Sequence, residues 1–229
     1  MKRVFPYILW FVLAPVAVGI GVLLAGDRGI AFAAVALVLL SLLPFFIRFE
    51  KEKHTAAELT VLAALVAFAA VSRMALFALP GVKPVTAVVI LAGMLLGKDA
   101  GFAVGALSAL VSGFAFGIGG FTPFQMLAWG LCGVFAGLLS PLLKKTPLLM
   151  LYGGLTGILF SLVMDLWTVV SLDGGFSLSR FGGVLWTSLP FTALYALTNM
   201  LFLLLMKKPA FRIFGRLKLK YGIFGKKDR

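Results

Sequence analysis

The chain is a succession of apolar runs of roughly 17 to 24 residues, each long enough to cross a hydrocarbon core about 30 Å thick at 1.5 Å per residue. Short clusters of charged residues, glycine and proline separate them. The runs are continuous and lack the period-two alternation of barrel strands, so they predict α-helices. Eight are expected, over about 4–25, 29–47, 56–79, 84–97, 99–117, 123–142, 147–171 and 184–206. The fourth and fifth are short and meet at a tight Gly97-Lys98-Asp99 turn. Pro80, Pro84, Pro123 and Pro147 fall at helix ends, where proline is tolerated. The fold class is all-α, a polytopic transmembrane helix bundle.

Composition agrees. Hydrophobic residues make up 62% of the 229 positions and charged residues 13%, where a soluble domain carries about 25% charged. The first run starts near Val4, behind Lys2 and Arg3, and has no small-residue cleavage site, so it is expected to be retained as a span. Basic residues set the orientation. With the N-terminus inside, Lys2, Arg3, Arg48, Lys51, Lys53, Lys98, Lys144, Lys145 and every basic residue from Lys207 onward lie inside. Only Arg28, Lys83 and Arg180 lie in outer loops. The expected placement is the cell membrane, with both termini cytoplasmic. Much of the net charge of +13 comes from the tail after Met206. Such a tail fixes topology and touches anionic lipid; no nucleic-acid partner is assigned.

Few strongly polar groups occupy the later helices. Arg73 and Asp165 each lie about six residues, or about 9 Å, from the outer end of a helix. A lone charge there costs several kcal/mol unless paired or wetted. Two readings are compatible: the pair neutralise each other, or both line an outward-facing pocket. The glycine-rich stretch 113–120 precedes a helix that carries Gln125 and Trp129 four residues apart, on one face. Trp129 and Trp167 lie deep enough that each N–H needs a partner, either as pocket wall or in packing. Asn199 is expected to bond between helices. Ala63 and Ala67 form a small-xxx-small pair suited to close helix approach. Cys132 reads as inert packing.

Several chemistries are excluded. There is no phosphate-binding loop for ATP, no His-Glu-x-x-His, and the single histidine, His54, stands at a helix start. No Gly-x-Ser-x-Gly turn occurs, and no acid pairs suited to a magnesium-diphosphate. No cofactor and no metal site are expected. No internal repeat suggests a symmetric transporter. A bundle with an outer pocket and no energy source either borrows one or binds passively.

The segments 63–73 (Ala-Ala-Leu-Val-Ala-Phe-Ala-Ala-Val-Ser-Arg), 80–87 (Pro-Gly-Val-Lys-Pro-Val-Thr-Ala), 97–106 (Gly-Lys-Asp-Ala-Gly-Phe-Ala-Val-Gly-Ala) and 121–130 (Phe-Thr-Pro-Phe-Gln-Met-Leu-Ala-Trp-Gly) resemble substrate-binding S components of energy-coupling factor transporters. The resemblance implies a six-helix substrate-binding core over 55–208. An extra two-helix hairpin and linker (1–54) precedes it, and a basic cytoplasmic tail (209–229) follows. It implies capture of a vitamin-like molecule from outside, and delivery with a transmembrane coupling subunit and two cytoplasmic ATPases. Carried onto this chain, it makes Ala63 and Ala67 subunit-docking residues and places Arg73, Gln125, Trp129, Asp165 and Trp167 near the substrate. Pocket-forming segments are expected at 77–86, 113–126 and 172–183. The Thr-Pro-Phe-Gln-Met segment resembles a branch linked to a corrinoid or its precursor; riboflavin, thiamine and biotin are the other ring compounds considered. The competing classes are a non-transporting membrane scaffold or assembly protein and, more weakly, a membrane enzyme acting near Arg73 and Asp165.

Overall fold

The structure, a computed structural model, describes residues 33–51, 54–173 and 176–224. The expected span 4–25 lies outside the described residues. Helices α1 (Ala33–Lys51), α2 (Ala56–Ala75), α3 (Val85–Leu96), α4 (Lys98–Phe116), α5 (Phe121–Leu138), α6 (Ser140–Leu143), α7 (Thr146–Asp173) and α8 (Leu178–Tyr221) follow in order. No strand occurs among the described residues. All but α3 and α6 are long and apolar enough to cross a membrane.

Helix α3 is the hub. Its 12 residues span only about 18 Å, and all but Met94 and Leu95 are buried. It packs against α2, α4, α5, α6, α7 and α8. A helix apolar on every side is stable where others screen it. Gly97, at φ 107°, ends α3 and also begins α4; a side chain there would be strained.

Helices α4 and α5 approach backbone to backbone. A Cβ on Gly105 would lie 2.5 Å from the Trp129 carbonyl, and one on Gly101 would lie 2.7 Å from the Gly133 oxygen. Without a hydrophobic drive between lipid-embedded helices, such contact is what small residues provide. Arg48 bonds Asp99 at 2.9 Å and Phe45 stacks on Phe102 at 4.2 Å, seating α1 against α4.

Four expected boundaries are corrected. Helix α2 stops at Ala75 rather than 79, because the chain turns at Leu76 and enters Pro80-Gly81, with Gly81 at φ 75°. The expected helix 123–142 ends at Leu138, Leu139 departs from helical geometry, and the separate short α6 starts at Ser140 with Pro141 in its first turn, where proline's missing N–H costs nothing. Helix α8 starts at Leu178, capped by Ser177, rather than at 184. It also runs on to Tyr221 rather than stopping at 206. Pro209 removes one hydrogen bond, but Lys and Arg are good helix formers. Ala210 and Phe214 also bury against the core. Residues 209–221 of the basic tail are thus helix.

At that end Lys207 Nζ donates to the Lys144 carbonyl at 2.6 Å and to Thr146 Oγ1 at 2.8 Å. Beyond α8, Ile223 is buried and the Phe224 N–H donates to Glu58 Oε1 at 2.7 Å. Glu58 also closes the capping box with Thr55 that starts α2. The chain therefore returns from its last helix to the first turn of α2.

Candidate functional site

At the opposite end of the bundle lies a cavity of about 510 Å³. The last turn of α2, residues 76–83, the end of α4, the start of α5, and the facing halves of α7 and α8 enclose it. Its aromatic lining comes from Phe77, Phe116, Phe160, Phe191 and Tyr195. Its polar lining comes from Arg73, Lys83, Gln125, Ser161, Asp165, Ser188 and Thr192. Apolar walls with a few convergent polar groups are the usual make-up of a small-molecule site.

Arg73, only 8% exposed, is fixed by α4 and α5. Its Nη1 donates to Ser112 Oγ at 2.6 Å and reaches Gln125 Oε1 at 3.4 Å. The guanidinium lies 4.7 Å from the Phe116 ring centre and 5.2 Å from that of Trp129, within cation–π range. Asp165 accepts from Ser188 at 2.7 Å. Both line the cavity, but no Arg73–Asp165 ion pair exists among the described residues. The expectation of direct neutralisation is therefore corrected: Arg73 is held by hydroxyl, amide and ring groups, and Asp165 by a hydroxyl of α8.

Trp129 is fully buried and does not line the cavity. Its Nε1 donates to Thr86 Oγ1 and Tyr195 Oη, each at 3.1 Å, and these two hydroxyls bond each other. Its ring stacks on Phe160 at 4.8 Å. It thus supports the cavity lining from behind. Trp167 is also away from the cavity. It packs 5.0 Å from Phe124, and its ring occupies the space a Cβ on Gly120 would take. Of the three expected pocket segments, 172–183 does not contribute; Asp173 there pairs with Arg180 across the α7–α8 turn.

Lys83 sits half-buried in the turn before α3, its ammonium 6.0 Å from the Tyr195 ring centre. Burial first, and then the Arg73 charge, hold it below the ordinary lysine value.

A family model, ECF-type riboflavin transporter, S component, matches residues 53–208. The chain belongs to that family. No curated protein and no solved structure matches the chain. This S component is therefore a substrate-binding subunit of a membrane transporter, not an enzyme, and it works with a coupling subunit and ATPases.

In this S component, sequence reading covered Lys83 and Thr86 only within the expected segment 77–86 and missed Tyr195, Ser188, Thr192 and Ser112. One signal was available: Ser188, Thr192, Tyr195 and Asn199 recur at helical spacing on one face. On α2, Leu62, Val66, Ala69, Ala70 and Arg73 face inward, while Ala63, Ala67 and Phe68 are exposed. Asn199 Nδ2 bonds the Gly153 carbonyl across to α7 at 3.4 Å, the interhelical role expected of it.

Proposed function

We propose that this S component binds a fused-ring organic micronutrient of the riboflavin type in the cavity around Arg73, Gln125 and Asp165. Release inward is driven by the ATPases through the coupling subunit. The observation that carries this reading is the convergence of Arg73, Gln125 and Asp165 with Phe116 and Phe160 on one space of about 510 Å³. That size suits a drug-sized ligand. It favours a single fused ring system over a corrinoid, whose four linked rings carry amide side chains around a central cobalt. The family name supports a flavin in particular. The bias of basic residues supports placing this end outside. Trp129 and Trp167 act behind the lining, Trp129 through Tyr195 and Phe160.

Coupling is assigned to the exposed Ala63 and Ala67 face of α2, whose opposite face ends in Arg73. One rigid helix would then link subunit docking to the ligand. The test is riboflavin titration of the purified chain in lipid nanodiscs, read by flavin fluorescence, with mass spectrometry of retained small molecules. Saturable binding at one site per chain is the expected result. A chain that binds no small molecule overturns the reading and favours a scaffold.

A further inference from the structure

The cavity's charges do not balance. Its lining holds two cations, Arg73 and Lys83, and one carboxylate, Asp165. Among the described residues, neither cation has a carboxylate within ion-pair distance. Arg73 spends Nη1 on two neutral acceptors, Ser112 and Gln125. Its Nε and Nη2 meet no hydrogen-bond partner among the described residues, which leaves one edge of the fork uncommitted.

Other sources of compensation are already engaged. Tyr195 presents its ring to Lys83 at 6.0 Å, the limit of useful cation–π distance. The Tyr195 hydroxyl is tied into the neutral ring with Thr86 and Trp129. Asp165 Oδ2 accepts from Ser188, and its one negative charge still leaves the lining with an excess positive charge. Two like charges sharing a poorly solvated space repel each other, and an anion between them relieves both. The free edge of a guanidinium suits two oxygens of one acidic group, and a lysine serves as a mobile point charge beside it.

We propose that the ligand of this cavity carries an acidic oxygen group, a carboxylate or a phosphate, seated between Arg73 and Lys83 with its ring system against Phe116 and Phe160. This rests on the cavity being the ligand site, as argued above. It adds that the site selects against the neutral member of a ligand pair. Arg73 fixes the group through its fork, and Lys83, arriving from the turn before α3, closes over it.

Three probes with one ring separate the outcomes: riboflavin, riboflavin 5′-phosphate and carboxymethylflavin. Each is titrated at low salt against the wild-type chain, Lys83→Gln and Lys83→Arg in nanodiscs. At least one acidic flavin is expected to bind about tenfold tighter than riboflavin, the scale of one charge-assisted contact. Which of the two gains tells phosphate from carboxylate. The preference should collapse in Lys83→Gln, return in Lys83→Arg, and shrink with added salt. Riboflavin binding as tightly as both acidic flavins, or a preference unchanged in Lys83→Gln, overturns the proposal. If no flavin binds, the flavin reading fails, and the compounds retained by the wild-type chain decide the charge question. An acidic compound lost from Lys83→Gln supports the anion site. A neutral compound, an acidic one kept by Lys83→Gln, or nothing at all overturns it.

Discussion

Arg73 and Trp129 show how two residues too polar for lipid are made tolerable by different means. Arg73 is bonded and stacked, and it lines a cavity. Trp129 is sealed in, with its one donor shared by two hydroxyls. Replacing Arg73 with lysine keeps the charge but loses the planar group whose Nη1 bonds Ser112 and Gln125 while Nε and Nη2 stay uncommitted. Ligand affinity is expected to fall about tenfold or more, on the scale of a charged hydrogen bond, in the nanodisc titration. Trp129→Phe keeps the stack on Phe160 and removes the donor. The cost is expected to be about 1–3 kcal/mol, read as a lowered thermal midpoint in detergent.

Among elements, the α4–α5 pair depends on missing side chains. A Cβ on Gly133 would enter the Gly101 backbone, whereas one on Gly182 meets nothing within 4 Å. Gly133→Ala is therefore expected to lower the thermal midpoint sharply. Gly182→Ala, in α8, should be neutral or stabilising by up to about 1 kcal/mol. Glu58 belongs to this scale too, because one side chain both caps α2 and receives the Phe224 N–H beyond α8. Glu58→Ala is expected to cost about 1 kcal/mol for the cap and to expose residues 222–224 to a carboxypeptidase sooner than in wild type.

For the whole molecule, the 44 residues of α8 extend about 66 Å, roughly twice the apolar thickness of a bilayer. The helix lends its first half to the cavity and its last half to the opposite end of the bundle. Helix α2 also joins the two ends, with Glu58 at one and Arg73 at the other. If its outer face docks the coupling subunit, Ala63→Leu with Ala67→Leu should abolish uptake into cells while ligand titration of the purified chain is unchanged. Loss of binding in that variant would reassign the face to the fold.

Run length and residue type alone determined that this is an all-helical membrane protein, because long uncharged stretches have few other stable forms. They also determined that Arg73 and Asp165 needed partners, since charge in lipid is costly, and that Trp129 needed an acceptor. The short α3 and the tight turn at Gly97 were legible for the same local reasons. The partners themselves were not. That Arg73 would meet Ser112 rather than Asp165, that Tyr195 would complete a ring with Thr86, and that Trp167 would stand aside were decided by how six helices rotate about α3. In lipid that rotation is set by side-chain fit and backbone approach between helices distant in the chain, a property of pairs that no single run of residues contains.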